Sequence, residues 1–375
     1  MKEQEHLNFE DTVNQGSYYT PPEFVDLVYK FISKNVQDWE KYTILDTSCG
    51  YGNFLRKNSI GADIDKKAIE VAKKHTKNCK FFNHDSLKDV GRNQYELNEK
   101  DKLIIVGNPP YNDTTSIVRK KMKTEICTPD SDLKHRDIGI SFLRSYNKLN
   151  PDYICVLHPL SYLIKETNFK SLKDFKDNYK LIDGVIIGSF EFELTSKKSA
   201  FPIIIALYKK DENGMNYDYI LNYTFKTKDN KKLQFKNYDR LGKYIKKYPN
   251  QKTMPLERTV ALFWTMRDIN ALKRSQTFSK KESYNSIRVN KESLSLYCYA
   301  DIFKDFAEHI PYYFGNFDIM INLEEFRKIE DLFVQKSLSK YPHLEHLKGD
   351  YSLSEKDEKE IEKYFKNLFG EHYED

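Results

Sequence analysis

A turn of unusual composition holds the residues best suited to chemistry. A run of four apolar residues, Leu103 to Val106, is followed by a glycine and then by Asn108, Pro109, Pro110 and Tyr111. The run has the length of a buried strand, and the prolines end it in a stiff turn. Asn108 and Pro109 supply two carbonyl oxygens, and Tyr111 supplies a flat apolar face. This combination suits the exocyclic amine of a planar ring, although a turn of this kind also ends ordinary core strands.

Residues Asn108 to Tyr111 match the Asn-Pro-Pro-Tyr motif of amino methyltransferases. In this motif, and in the order of its motifs along the sequence, the chain resembles the DNA adenine-N6 methyltransferases of restriction-modification systems, in particular the TaqI-like group. The resemblance implies an α/β fold with the Rossmann-like sheet of class I S-adenosylmethionine-dependent methyltransferases, of about seven strands. It also implies S-adenosyl-L-methionine as cofactor, double-stranded DNA as partner, a cognate restriction endonuclease encoded nearby, and action as a monomer.

A glycine-containing turn follows the first predicted strand, which ends at Asp46. Its glycines let the backbone approach a ligand, and a helical pattern that resumes at Phe54 is expected to offer N-terminal amides. The GxG pattern is weak evidence alone, but neither GxGxxG nor GxxxxGK[ST] is present, which argues against a phosphate loop. The resemblance implies that the cofactor is held here by Asp46, Thr47, Ser48, Cys49, Gly50 and Gly52.

Two further carboxylates close the next predicted strands. Asp63 lies 17 residues after Asp46, near the distance at which a doubly wound sheet presents a carboxylate to a ribose diol. Asp65 is expected to cap the helix that follows. The resemblance implies that Asp85, with Ser86, contacts the adenine of the cofactor. A local turn explains Asp85 equally well.

A helix is predicted to begin at Thr20. Thr20 and Glu23 have the spacing of a capping box, Pro21 stands where a helix tolerates proline, and the apolar spacing that follows is helical. In the resembled family a Tyr-Thr-Pro-like segment packs over the methionine end of the cofactor. The resemblance therefore implies cofactor contacts from Tyr19 and Thr20, together with Asn108 and Pro110.

Three more strands are expected after the turn, at Tyr153 to His158, Leu181 to Ile187 and Pro202 to Tyr208, with a helix over Asp137 to Leu149. Seven strands in all, with helices between the early ones, fit one doubly wound sheet. The basic run Asn112 to Pro129 is interpreted as a loop near DNA, or as a surface excursion without a role.

The resemblance also implies a second aromatic residue, just before the last hairpin strand, that stacks on the target base opposite Tyr111. Phe192 is the first choice for this residue, and Phe190 is the alternative. Either ring could instead belong to the core.

Two domains are expected in 375 residues: a cofactor-binding catalytic domain over residues 1–210 and a smaller, mostly helical DNA target-recognition domain over 211–375. Helices are predicted at Leu241 to Tyr248, Thr259 to Lys273 and Asn322 to Lys336. From Lys226 to Arg288 there are 17 Lys or Arg against 5 Asp or Glu, although the net charge of the chain is only +5. This asymmetry indicates a polyanion-binding face, or a merely solvated lysine-rich surface.

The five cysteines are scattered and form no CxxC pair, which indicates a reducing compartment and no zinc site. The first ten residues are polar and charged, and no apolar run approaches the length of a membrane span. A cytoplasmic protein without membrane segments is expected.

The predicted chemistry is amine methylation. If Asn108 and Pro109 each accept one hydrogen from the N6 amine of adenine, its conjugated lone pair is freed. A paired base cannot reach this turn, so the adenine must be flipped out of the duplex.

Several alternatives were weighed. Glutamine-N5 protein and ribosomal RNA methyltransferases use the same turn and remain open, and cytosine-N4 methylation is a minor option because those enzymes more often carry Ser in place of Asn108. Cytosine-C5 methylation needs a Pro-Cys turn, which the chain lacks. Pro151-Asp152 with Asp174-Phe175-Lys176 matches a nuclease pattern, but these residues lie within the predicted sheet region. A methyltransferase-like fold that only binds DNA would show decay of a site element, and no such decay is visible.

Overall fold

The structure is a computed structural model that describes residues 20–111, 129–192 and 200–375. The chain forms two compact units: an N-terminal unit that ends at Leu233, and a C-terminal unit over Gln234–Asp375. The boundary between the units therefore lies later in the sequence than the predicted boundary between residues 210 and 211. Within the described ranges, none of the helices is both long and apolar enough to cross a bilayer.

The N-terminal unit is built on a seven-stranded sheet with the order β3-β2-β1-β4-β5-β7-β6. Only β7 runs antiparallel to its neighbours; the other pairs are parallel. The order reverses between β1 and β4, and the carboxyl ends of strands at such a point form a ligand crevice. This sheet confirms the predicted Rossmann-like class I S-adenosylmethionine-dependent methyltransferase fold. The strands are β1 Thr43–Asp46, β2 Ile60–Asp63, β3 Lys80–Asn83, β4 Leu103–Gly107, β5 Tyr153–Pro159, β6 Tyr179–Gly188 and β7 Pro202–Lys210.

Helices cover this sheet. The first, α1, packs Phe24, Val28 and Ile32 into the core beside β5 and β7, and α2 packs Ile69 beside β2 and β3. Asp65 caps α2 as predicted, with its carboxylate accepting from the backbone N–H of Lys67 at 2.8 Å. The helices of this unit are α1 Pro22–Asn35, α2 Lys66–His75, α3 Ile138–Leu149, α4 Ser161–Ile164, α5 Glu166–Ser171, α6 Asp174–Asn178 and α7 Tyr217–Asn222.

The prediction of a capping box at Thr20 was wrong. Helix α1 begins at Pro22, and its N-cap is Pro21, which makes no side-chain cap. The hydroxyl of Thr20 instead accepts a hydrogen bond from Asn108, and the carboxylate of Glu23 forms an ion pair with Lys228 at 3.1 Å. Partners that are distant in the chain have replaced the local cap.

The helix predicted from Phe54 is also absent. Residues 51–58 form turns between β1 and β2, so no helix offers its amides to a ligand here. Phe54 and Leu55 are buried, and the Phe54 carbonyl accepts from the Tyr29 hydroxyl at 2.5 Å. The apolar residues that suggested a helix are buried because the turn itself packs against the sheet.

A small hairpin, β8 Phe225–Lys226 with β9 Lys232–Leu233, completes the N-terminal unit. Its turn lies against the edge strand β6, where the backbone N–H of Lys228 donates to the carbonyl of Ile186 at 3.0 Å. The ammonium of Lys228 pairs with Glu23 and, at 2.5 Å, with Glu191.

The C-terminal unit is smaller and mostly helical, as predicted. Its helix α9, Leu294–Asp305, is almost completely buried, and Tyr299 in it packs on Phe333 and Phe365. It also contains a three-stranded sheet of order β12-β11-β13 and the pair β10-β14. Its elements are β10 Asp239–Arg240, β11 Ala261–Trp264, α8 Ile269–Arg274, β12 Phe278–Ser279, β13 Ser286–Val289, α9 Leu294–Asp305, β14 Met320–Ile321, α10 Leu323–Lys328, α11 Glu330–Leu338 and α12 Glu355–Phe369.

The helix predictions for this unit were partly wrong. The segment Leu241 to Tyr248 has only a short 3-10 turn, and Thr259 to Lys273 holds strand β11 before helix α8. Asn322 to Lys336 is helical but divided into α10 and α11, and helices α9 and α12 were not predicted.

Candidate active site at the carboxyl ends of the central strands

The pairing of parallel strands brings the predicted site residues to one edge of the sheet. Strand β1 pairs with both β2 and β4, and Asp63 at the end of β2 pairs with Asn83 of β3. Because these strands run in the same direction, the residues that follow them lie at the same edge. Asp46, Asp63, Asp85 and Asn108 therefore surround one region.

Asp46 and Gly107 are in close contact at the centre of this edge. A Cβ atom at Gly107, whose φ is +144°, would lie 2.7 Å from the Asp46 Oδ1 atom, so only glycine fits. The same oxygen accepts from the backbone N–H of Ser48 at 3.1 Å. Burial raises the pKa of Asp46 to about 8. Its carboxyl group therefore holds a proton over much of the pH range in which an exposed aspartate is charged.

The turn after β1 is fixed by the carboxylate of Asp63. One of its oxygens accepts from the backbone N–H of Gly50 at 2.8 Å, and the other accepts from that of Asp65 at 2.9 Å. Gly50 and Gly52 have positive φ angles of 50° and 81°. Asp63 thus shapes the turn, and each carboxylate oxygen retains a second lone pair for a ligand hydroxyl. Burial raises the pKa of Asp63 as well.

The segment after β3 is tied to the segment after β1. The hydroxyl of Ser86 donates to the carbonyl of Thr47 at 2.7 Å, and both residues are buried. Asp85 accepts from the backbone N–H of Leu87 at 2.9 Å, which is the local turn that the sequence also allowed. A contact between Asp85 and a cofactor stays a prediction.

Asn108 is oriented by Thr20. The Nδ2 atom of Asn108 donates to the Oγ1 atom of Thr20 at 3.1 Å, and Thr20 is buried. The Oδ1 atom of Asn108 is buried and has no hydrogen-bond partner among the described residues. A buried acceptor left without a partner costs about 1–3 kcal/mol, so most such atoms in proteins are paired with a polar group or with water.

Other unsatisfied atoms lie at the same edge. The Ser48 hydroxyl, the Asn53 Oδ1 atom and the His84 Nε2 atom are all buried, and in the part of the chain that the structure describes they have no partners. Burial lowers the pKa of His84, which favours the neutral imidazole. Together these atoms offer donors and acceptors to a polar ligand in the turns after β1 and β3. Asn53 and His84 were not predicted, because only their burial in the folded chain distinguishes them from other loop residues.

Three residues behind Tyr111 were not predicted either. A Cβ atom at Gly139, in the first turn of α3, would lie 2.9 Å from the Tyr111 Cβ atom and would also overlap the Tyr162 hydroxyl. That hydroxyl donates to Asp137, the N-cap of α3. The half-buried Tyr111 thus packs against Gly139, and a larger residue at position 139 would clash with its side chain. A glycine in the first turn of a predicted helix was the available sequence signal.

The structure separates the two candidates for base stacking. Phe192 is only 2% exposed and packs on Phe24, with ring centroids 5.5 Å apart, whereas Phe190 is 40% exposed. Phe190 is thus the more exposed of the two rings. The first choice from the sequence, Phe192, is a core residue in this structure.

Part of the predicted site lies outside the described residues: Tyr19, and residues 112–128 of the basic run. Among residues 20–111, 129–192 and 200–375, no group of three or more His, Cys, Asp or Glu side chains is placed to hold a metal ion.

Comparisons with known proteins give matches to solved structures only. Neither a scan against protein-family models nor a search of curated proteins finds a match. One similar structure, described as a modification subunit of a type I restriction enzyme from Vibrio vulnificus YJ016, has 15% identity and a TM-score of 0.39, and the match covers 59% of this chain and 51% of that one. A type I restriction-modification methyltransferase subunit from Streptococcus thermophilus has 13% identity and a TM-score of 0.38, over 83% of this chain and 57% of that one.

A third structure, described as a class I S-adenosylmethionine-dependent methyltransferase from Listeria monocytogenes, has 16% identity and a TM-score of 0.36, over 57% of this chain and 72% of that one. This chain spans only about half of the length of the first of these three proteins. With TM-scores of 0.39 or less, the similarities carry no argument about function. Function has to be inferred from the site itself.

Proposed function

We propose that this chain is a DNA methyltransferase of the TaqI-like type, which transfers a methyl group from S-adenosyl-L-methionine to the N6 amine of an adenine flipped out of duplex DNA. It would serve as the modification enzyme of a restriction-modification system. The observation that carries this proposal is the amide of Asn108, whose Nδ2 atom donates to Thr20 while its buried Oδ1 atom has no partner within the described ranges. An acceptor held in this way beside the carbonyl of Pro109 suits an amine with two hydrogens to donate.

The residues at the sheet edge fit the proposed cofactor. The unsatisfied atoms of Ser48, Asn53 and His84 lie in turns that the cofactor would contact, and Asp63 retains lone pairs for hydroxyl groups. Gly50 and Gly52 keep side chains away from the turn after β1. When bound, S-adenosyl-L-methionine supplies an electrophilic methyl group on a sulfonium that is a good leaving group.

The chain's own residues prepare the amine. The Oδ1 atom of Asn108 and the carbonyl oxygen of Pro109 each accept one amino hydrogen, which draws the nitrogen toward a tetrahedral shape and frees its lone pair. Pro109 is a buried residue. The proton that the amine loses leaves along these acceptors to water. Because positioning and hydrogen bonding suffice, no strong general base is needed.

Tyr111 supports the flipped base. Flipping costs a few kcal/mol, and stacking of a base on an aromatic ring recovers about 1–3 kcal/mol. The second ring that stacks on the base is assigned to Phe190, because Phe192 is buried in the core. The C-terminal unit contains most of the lysine- and arginine-rich segment Lys226 to Arg288. This unit is proposed to bind the duplex and read the flanking bases.

The decisive experiment identifies the methylated product. The protein is incubated with radiolabelled S-adenosyl-L-methionine and separate pools of duplex DNA, RNA and protein, and the labelled residue is identified by mass spectrometry. We expect N6-methyladenine in duplex DNA. Label on glutamine or on RNA would overturn the substrate assignment in favour of the other users of the Asn-Pro-Pro-Tyr turn.

A further inference from the structure

The C-terminal unit contains a groove that the proposed reaction does not use. It has a volume of about 460 Å³, and its walls come from β11, β12 and the segment after α11. This volume lies within the range of small-ligand sites, about 300–1,000 Å³. The lining includes Trp264, Lys280, Lys281, Tyr341 and His343, and it contains no Asp or Glu.

Trp264 provides an aromatic wall. Strand β11 is the central strand of its sheet, and buried residues alternate with partly buried ones along it, so Trp264 faces away from the buried side that holds Phe263. Its backbone N–H donates to the carbonyl of Thr277 at 2.9 Å, and Trp264 also pairs with Ser286 of β13. The strand is therefore fixed on both sides, and the half-buried indole is held at the groove.

The positive charge at the groove is not neutralised by the protein. Lys280 and Lys281 are exposed, and in the part of the chain that the structure describes neither forms an ion pair. The carboxylate of the adjacent Glu282 accepts two hydrogen bonds from the guanidinium of Arg288, at 2.7 and 3.0 Å. The third lysine of the lining, Lys340, is already paired with Asp305 at 2.5 Å. Two ammonium groups thus remain for an external anion.

His343 adds an unsatisfied polar group. Both ring nitrogens of this half-buried residue are buried, and neither has a hydrogen-bond partner in residues 20–111, 129–192 or 200–375. Its ring packs edge-on to that of Tyr341, whose hydroxyl is already used by Asp301 at 2.7 Å. The groove therefore combines an aromatic face, two free ammonium groups and an imidazole with unused nitrogens. A planar ring joined to a phosphate would match the aromatic face and the two ammonium groups.

We propose that this groove binds one unpaired nucleotide of a DNA strand, with the base stacked on Trp264 and the phosphate held by Lys280 and Lys281. The proposal rests on the proposed function in taking DNA as the ligand. An aromatic ring that stacks any base, beside lysines that hold the backbone, is the general solution for binding a single strand. A base opened by flipping elsewhere in a duplex leaves such an unpaired nucleotide in the opposite strand.

Tryptophan fluorescence provides a direct test. The chain has only two tryptophans, Trp39 and Trp264, so the Trp39→Phe variant reports on the groove alone. This variant is titrated with a single-stranded DNA 12-mer and with an abasic strand of the same length and charge. We expect quenching by the 12-mer, with roughly tenfold weaker binding of the abasic strand. No quenching, or equal quenching by both strands, would overturn the proposal.

The lysines are tested with a matched control. In the Trp39→Phe background, the double change Lys280→Gln/Lys281→Gln should weaken binding of the 12-mer roughly tenfold at low salt. Lys356→Gln/Lys363→Gln, on exposed positions of α12, removes the same charge from the same unit outside the groove. An equal loss in both double variants would overturn the proposal. Thermal unfolding of each variant shows whether it remains folded.

Asn108→Ala separates this inference from the proposed function. In the Trp39→Phe background this variant should still show quenching by the 12-mer. If the protein methylates RNA or glutamine, quenching by DNA can persist, and the groove remains a nucleotide site. If quenching fails while DNA is methylated, the groove proposal alone is overturned.

Discussion

The Nδ2 atom of Asn108 donates a hydrogen bond to the Oγ1 atom of Thr20 at 3.1 Å, across 88 positions of the chain. An Asn side chain has a carbonyl end and an amino end of nearly the same shape, and only hydrogen bonds distinguish them. Thr20 occupies the amino end, so the carbonyl end is left for the substrate. Thr20 is thereby a positioning residue for the proposed reaction.

Thr20→Val should lower kcat for methyl transfer by about fivefold, because a lost side-chain hydrogen bond of about 1 kcal/mol lets the Asn108 amide rotate. Thr20→Ser keeps the hydroxyl and should retain most of the activity. Steady-state kinetics of the two variants check this, with cofactor affinity measured by calorimetry. A purely structural role would lower activity equally in both variants.

Asn108→Ala should reduce kcat by about 10²–10³-fold, the loss expected for one preorganised polar group that acts on the reacting centre. Cofactor binding should largely survive, because the turns after β1 and β3 are unchanged. Single-turnover transfer of label to DNA measures the first effect, and calorimetric titration with S-adenosyl-L-methionine measures the second. Full activity in this variant would refute the mechanism.

Gly139→Ala should impair methyl transfer by at least tenfold, because the added Cβ atom would lie 2.9 Å from the Cβ atom of Tyr111 and force that ring to move. The Tyr162 hydroxyl is the second obstacle. The double variant Gly139→Ala/Tyr162→Phe should therefore recover only part of the activity. The expected signature is a raised KM for DNA with unchanged cofactor affinity, and wild-type kinetics in Gly139→Ala would contradict the packing argument.

The two phenylalanines before residue 193 should behave differently. Phe192→Ala should lower the free energy of unfolding by about 3–5 kcal/mol, as expected for a buried aromatic ring. Phe190→Ala should change stability by less than about 1 kcal/mol but weaken binding of a duplex with a mismatched target adenine. Urea unfolding and fluorescence anisotropy distinguish the two effects. If Phe190→Ala binds such a duplex normally, the assignment of the stacking ring fails.

Asp46 should make stability depend on pH. Burial raises its pKa from 3.8 to about 8, so the folded chain keeps this proton over a range in which the unfolded chain loses it. The resulting stabilisation of the folded chain relative to the unfolded chain is fully present below pH 3.8 and is lost as pH rises toward 8. Asp46→Asn lacks this dependence.

Between pH 5 and 8, the unfolding free energy of Asp46→Asn should therefore rise relative to that of the wild type, by up to about 1 kcal/mol per pH unit. Urea unfolding of both proteins at several pH values measures the difference. Parallel curves for the two proteins would show that Asp46 is charged in the folded state.

The sequence predicted the sheet well and the turns poorly. Strands such as Leu103–Gly107 are short apolar runs ended by Gly or Pro, which is a local sequence pattern. The structure forms a fully buried strand at this place. The predictions of a capping box and of a helix from Phe54 were wrong because tertiary contacts determine the local structure at both places. The Thr20 hydroxyl accepts a hydrogen bond from Asn108 instead of capping the helix. Phe54 is apolar because it is buried, not because it lies in a helix. Gly139 and Tyr162 are distant from Tyr111 in the chain, so local reasoning could not place them beside it.

The hairpin beside β6 has a consequence for contacts between copies of the chain. Strand β6, of ten residues, is the last strand of the sheet, and an exposed edge of that length can be extended by a strand of another molecule. Here the carbonyl of Ile186 is bonded to the hairpin, and that of Leu181 accepts from the Tyr219 hydroxyl at 2.7 Å. With these carbonyls occupied and a lysine at the hairpin tip, the edge resists intermolecular β-pairing and the aggregation that would follow.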